Sequence, residues 1–294
     1  MPASTFRYPS SDGAQIAAYR WAPADEPRAV IQLTHGMGEH ARRYDYVARA
    51  LNDAGFAVYA QDHRGHGGSG DPEALGDMGP GSWPALVDDV GLLSAHIRAE
   101  HPGLPLILLG HSMGSFAVQQ YLLDHSADVD GAVLTGTAAI DVLEPAQDLD
   151  QPLDLAIFNA AFQPARTDYD WLSRDETIVD AYVADPYCGF GIDPASAKLM
   201  FLGARRVADP AQVAAITPGL PLYIAVGEAD PVNGGLGLLT PLTDRYAAAG
   251  LTDVTVRTYP GARHEVLNET NRDQIIGELI SWINRVLAST REGS

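Results

Sequence analysis

Apolar positions along the chain fall into short unbroken runs separated by amphipathic stretches. The first segment is different: Thr5–Pro9 and Gln15–Trp21 alternate in polarity, and Ser11-Asp12-Gly13 supplies a turn between them, which predicts a hairpin. The run Ala29–Thr34 follows and ends in His35-Gly36. Residues Tyr44, Val47, Ala48 and Leu51 then share one helical face within Ala41–Ala54, with Gly55 at the C′ position. Phe56–Gln61 is the next predicted strand, stopped by the glycine-rich loop Asp62–Gly70. A long helix carries Trp83, Leu86, Val87, Val90, Leu93 and Ile97 on one face. A buried strand Pro105–Leu109, a helix reaching about Leu123 and a strand Gly131–Leu134 complete the first half.

Runs without alternation, spaced by helices, are what a parallel sheet covered on both faces produces. The rhythm stops between residues 139 and 215, where helical or irregular pieces rich in Asp and Pro replace it. It resumes with Leu222–Val226, a helix over Leu238–Ala249, the strand Val254–Tyr259 and a last helix Asp273–Leu287. The pattern predicts an α/β fold with a mostly parallel sheet. Residues 1–138 and 216–294 form its core, and 139–215 form a helical cap over the carboxyl edge of the strands. In open α/β sheets that edge is where ligands bind.

Composition supports a folded protein: 294 residues, 46% hydrophobic and 19% charged. Only the polar ends, Met1–Thr5 and Thr290–Ser294, are expected to be loose. A formal net charge of −19, dispersed along the chain, argues against nucleic-acid binding and polybasic docking on anionic lipid. Cys188 is the single cysteine, so no internal disulfide can form. The first residues lack a basic start and an apolar run, and no stretch of about 18 apolar residues occurs. A soluble cytoplasmic protein is the expectation.

The chemistry enters at Gly110-His111-Ser112-Met113-Gly114, which matches the G-x-S-x-G elbow. There a serine sits on a sharp strand-to-helix turn, where a side chain on either neighbouring glycine would clash. The pentapeptide alone is weak, but here a buried strand precedes it and a helix follows. A serine hydroxyl needs a histidine base and an orienting carboxylate. Asp230 lies just past the strand Leu222–Val226, and His264 just past Val254–Tyr259, in the order the fold requires. Glu228 and Glu265 are rival acids, and Asp230 is preferred because it lies deeper in its loop. Two amides must stabilise an oxyanion. Met113 follows the serine, and Met37 in His35-Gly36-Met37-Gly38 is the second candidate.

His35 with His40 and His63 with His66 have spacings open to a metal reading, but paired carboxylates or cysteines are missing from their loops. They are read as loop-organising hydrogen-bonders, with no metal and no cofactor required. Asp62–Gly67 lacks the lysine and hydroxyl residue of a phosphate-binding loop.

Five motifs in order, HGMGEH (35–40), DHRGHG (62–67), GHSMG (110–114), GEADPV (227–232) and YPGARHEVLNE (259–269), resemble the monoacylglycerol lipase and lysophospholipase group of α/β-hydrolases. The stretch DWLSRDETIVDAYVADPYCGF (170–190) is similar to the cap of its bacterial members, and the likeness runs from about residue 6 to 288. The resemblance implies Ser112, Asp230 and His264 as triad and Met37 and Met113 as oxyanion donors, in agreement with the reading of the residues. It also implies a monoester substrate with one long acyl chain, whose small alcohol is held near Glu39 and Arg43. The alternative for Glu39 and Arg43 is an ordinary i,i+4 surface pair. A histidine of the animal enzymes, three positions after the catalytic one, is replaced by Leu267, which removes a polar group from the implied alcohol pocket.

The expected protein is therefore a serine hydrolase of hydrophobic carboxylic monoesters, with an acyl-enzyme on Ser112. Acyl transfer by the same triad, or aminopeptidase or amidase activity as in some members of the wider group, stays open. Acids at Asp168, Asp170, Asp175 and Glu176 could bind an amine, although helix capping explains several of them. An aspartate nucleophile at 112, as in dehalogenases and epoxide hydrolases, is denied. Leu153, Leu155, Ile157, Phe158 and Phe162 either form cap core or face substrate and make transient lipid contact.

Overall fold

A computed structural model describes residues 3–151, 153 and 155–292. The polar ends expected to be loose lie partly outside these residues, at Met1, Pro2, Gly293 and Ser294. Ser4 and Thr5 instead begin a strand, because both pair with the next strand of the hairpin.

The hairpin is β1 (Ser4–Pro9) and β2 (Gln15–Trp21), paired antiparallel and closed by Gly13 at φ 87°. The remaining strands are β3 (Ala29–Thr34), β4 (Phe56–Gln61), β5 (Leu106–His111), β6 (Gly131–Thr135), β7 (Leu222–Gly227) and β8 (Val254–Tyr259). They form one eight-stranded sheet in the order β1-β2-β4-β3-β5-β6-β7-β8, parallel from β4 to β8.

The unbroken apolar runs follow from this topology. Successive side chains of a strand point to opposite faces, and both faces are covered here. Ile31, Leu33, Ile107 and Leu109 pack with α1 (Asp45–Asp53) and α8 (Arg272–Glu292). Val30, Leu106 and Leu108 pack on the other face with α2 (Ser82–Glu100), α3 (Met113–His125) and α7 (Leu239–Ala248). The expected helix over Ala41–Ala54 is split into a 3₁₀ turn, Ala41–Tyr44, and α1.

Between β6 and β7 the described residues contain helices and 3₁₀ turns and no strand: α4 (Glu176–Ala184), α5 (Pro194–Ala208), α6 (Pro210–Val213) and shorter pieces. Asp175, Asp193 and Asp209 each accept a first-turn amide of the helix that follows, and Pro follows Asp193 and Asp209 at N1. A third apolar cluster joins this segment to the sheet's carboxyl edge: Trp171, Leu172, Tyr182, Met200 and Phe201 pack with Met113 and Phe116.

Candidate active site

Ser112 stands between β5 and α3 with φ 51° and ψ −123°, and its amide is held by Thr135 O at 2.9 Å. A left-handed serine costs of order 1–3 kcal/mol and persists only where its surroundings force it. The flanking glycines make the turn possible. A Cβ on Gly110 would lie 2.6 Å from Gly114 O, and one on Gly114 would overlap the backbone oxygens of Thr34 and His35. Met113 is the first residue of α3, so its amide is one of the unpaired donors at the positive end of a buried helix.

His264 is 2% exposed, and its Nδ1 lies 2.9 Å from Asp230 Oδ2, itself fully buried. With Asp230 accepting from Nδ1–H, the Nε2 lone pair is left as the base. Burial is the largest single influence and pushes the imidazole down, but the charge and hydrogen bond of Asp230, with smaller help from Glu265 and Glu39, together raise the ring above its ordinary value. Of the rival acids, Glu228 is exposed and accepts from Thr258, while Glu265 pairs with Arg43. Gly136 at φ 52° makes room for the ring, since a Cβ there would come within 2.9 Å of His264 Cε1.

The loop after β3 lies against the serine: a Cβ on Gly36 would meet Ser112 Cβ at 3.1 Å. Met37, Met113, Ser112 and His264 all line one cleft, so the structure brings the five predicted residues together, with Asp230 behind His264. Three buried histidines shape that loop. His35 Nε2 accepts from His63 N–H at 2.9 Å, His63 Nε2–H donates to His35 O at 2.9 Å, and His66 Nε2 accepts from Gly38 N–H at 3.2 Å. All three are lowered by burial first, His63 to about 3 and His66 to about 4. Asp62 binds Ala41 N–H at 2.8 Å and Gly68 N–H at 2.7 Å, so Asp62–Gly67 is a scaffold. His40 pairs with Asp185 at 3.0 Å, and with Cys188 these are three ligand types within 4.8 Å of one another.

Of its two readings, the Glu39–Arg43 pair loses one. It is not a surface pair: the side chains are 3% and 11% exposed, because Glu265 closes over Arg43 from the histidine loop. Glu39 and Glu265 both line the cleft. Leu267 sits in the core beside α8 and does not line the cleft, whereas Glu265 does.

The cleft encloses about 780 Å³, counting the part open to solvent, and its far walls are apolar: Leu143, Leu153, Leu155, Ile157, Phe158, Met200 and Val232. Leu153, Leu155, Ile157 and Phe158 line the cleft, but Leu153, Leu155, Phe158 and Phe162 also belong to the cap's apolar cluster, and Phe162 stacks under Arg263 at 4.5 Å. Sequence patterning missed the contacts that hold this wall to the loops. Trp171 lies 4.9 Å from the His264 ring, Leu172 O accepts from Glu265 N–H at 2.8 Å, and Tyr182 Oη–H donates to Gly38 O at 2.8 Å. The available signal was the motif at 170–190, which gives likeness but no partners.

The family model for serine aminopeptidase, S33 matches residues 25–271. The chain belongs to this family. Among relatives of this serine aminopeptidase S33 member is a monoacylglycerol lipase of Mycolicibacterium smegmatis, 36% identical over 92% of this chain and 93% of the relative. The monoglyceride lipase of Homo sapiens is 30% identical over 97% and 92%. Among solved structures, a thermostable carboxyl esterase from Bacillus coagulans in complex with glycerol superposes with a TM-score of 0.85. It is 27% identical and covers 98% of this chain and 99% of that one. The fold of this S33 member is therefore that of α/β-hydrolases, and among the described residues no helix is long and apolar enough to cross a membrane.

Proposed function

We propose that this protein is a carboxylic ester hydrolase that cleaves monoesters of one apolar acyl chain and a small alcohol, of the monoacylglycerol kind. The observation that carries the reading is the strained elbow of Ser112 opening into an apolar cleft beside a buried His264–Asp230 pair at 2.9 Å. The names of the M. smegmatis and human relatives support the substrate class. Ser112 Oγ attacks the acyl carbon, His264 Nε2 takes its proton and returns it to the leaving alcohol, and Asp230 holds the ring. The amides of Met37 and Met113 meet the oxyanion. Water then repeats the sequence on the acyl-enzyme. Residues 139–215 act as a cap whose apolar wall receives the acyl chain, and Ile157, 52% exposed, offers it a point of contact with lipid.

Amine recognition, which the family description would suggest, finds no free acid among the described residues that line the cleft. Glu39 and Glu265 are its acidic lining, and Arg43, Tyr44, Asn268 and the Gly36 amide already occupy them. Initial rates on monoacylglycerols, lysophospholipids and aminoacyl amides test the reading. Monoacylglycerols are expected to lead, and Ser112→Ala to retain less than about a thousandth of kcat. Amides outrunning esters would overturn it.

A further inference from the structure

One guanidinium joins the two loops that meet at Ser112. Arg43 Nη1 donates to Glu39 Oε2 at 2.6 Å and to Glu265 Oε1 at 2.6 Å, and Nη2 donates to Glu265 Oε2 at 2.9 Å. Asn268 Nδ2–H donates to Glu265 Oε2 at 2.9 Å, fixing the carboxylate from its own loop. On the other side, Glu39 Oε1 accepts the Gly36 amide at 2.6 Å and the Tyr44 hydroxyl at 2.8 Å. The chain of contacts runs from the residue after His264 to the residue before Met37. Its ionic members are at most 11% exposed, and the Tyr182 ring covers Arg43 at 4.7 Å.

A buried ion triad is a poor device for stability, since apolar residues of similar volume usually do as well or better. It is a good device for fixing geometry, because a forked guanidinium satisfies two carboxylates in only one arrangement. We propose that Glu265 is a positioning residue for the hydrolysis proposed above, and rests on that reading. Through Arg43 and Glu39 it sets the amides of the Gly36–Gly38 loop against Ser112 while its neighbour His264 stays in register. Glu265 also adds negative charge beside the base. The charged and titratable groups around His264 are Asp230 at Nδ1, His111 with ring centroids 4.8 Å away, and the Glu39–Arg43–Glu265 set.

The test is Glu265→Gln, assayed for kcat and KM on a monoacylglycerol across pH, for inhibition by an alkyl boronic acid that forms a tetrahedral adduct on serine, and for thermal melting. Expected are a kcat about 10- to 100-fold lower with KM within about threefold. Boronic-acid affinity should fall by about the same factor as kcat/KM, and the acid limb of the pH profile should move to lower pH. Asn268→Ala keeps the charge and is the milder variant: a few-fold loss of kcat with the acid limb in place. A lower melting temperature with wild-type kcat and acid limb, measured below the melt, would overturn the role. Should Glu265→Gln not fold, Asn268→Ala and Glu265→Asp decide, and wild-type kcat in both would overturn it. Inert wild-type protein, or activity surviving Ser112→Ala, would strike the hydrolase reading itself. An active enzyme indifferent to Glu265→Gln strikes only the positioning role.

Discussion

At the scale of the residue, the elbow is decided by atoms that cannot move. A methyl at position 114 would enter the backbone oxygens of Thr34 and His35, which belong to the end of β3 and to the loop carrying Met37. Backbone, unlike a flexible side chain, cannot rotate away. Gly114→Ala is therefore expected to cost about 3 kcal/mol or more in denaturant unfolding and to remove most activity. A variant with wild-type unfolding midpoint and rate would show that the turn has slack. The same scale shows what patterning could reach. Ser112, Asp230 and His264 were legible because an elbow motif and chain order are local, sequential signals. Glu265 was legible only as a rival acid, because its partner Arg43 lies 222 residues away.

At the scale of the element, α4 matters less for its own length than for what it presents to the β3 loop. Tyr182 on α4 donates to Gly38 O, and Gly189 N–H reaches the same oxygen at 3.0 Å. Tyr182 was visible only as part of the stretch 170–190, and nothing in spacing assigned its hydroxyl a partner in another segment. Tyr182→Phe removes the hydrogen bond donated to Gly38 O and the one accepted from Gly189 N–H at 3.1 Å, each worth about 1 kcal/mol, while keeping the ring over Arg43. The expected result is a kcat several-fold lower with a melting temperature within about 4 °C of wild type. Unchanged kcat would mean that the Gly189 amide alone holds the loop. The parallel strands, by contrast, were legible almost to the residue: double-sided burial writes itself as unbroken apolar runs in the inner strands, and the edge strand β8, partly exposed, shows instead an alternation of Val and polar residues.

At the scale of the whole molecule, burial of neutral histidines ties stability to pH. His63 and His66 titrate at about 3 and about 4 when folded, against an ordinary value of 6.5. Unfolded chains therefore bind more protons below about pH 6.5, and stability falls as pH drops from there toward 4. Each of the two histidines contributes of the order of 3 kcal/mol to that loss. Equilibrium unfolding from pH 7 to pH 4 should give a falling free energy with proton uptake. His66→Gln, which keeps an acceptor for Gly38 N–H, should flatten the slope. An unchanged slope would assign the acid sensitivity elsewhere.

The sequence by itself determined the sheet, its flanking helices and the three residues that stand past the carboxyl ends of β5, β7 and β8. Periodicity reports which face is buried, and the elbow glycines report a local backbone demand. Only the tertiary structure decided the rest. Of the two readings of Glu39 and Arg43 it excluded the surface pair, burying them in a triad with Glu265, and it placed Leu267 in the core. It also brought Trp171 and Tyr182 onto the His264 and Met37 loops. Each of these depends on which distant segment supplies the partner, and a buried charge or hydroxyl has no preferred spacing along the chain until folding brings that partner to it.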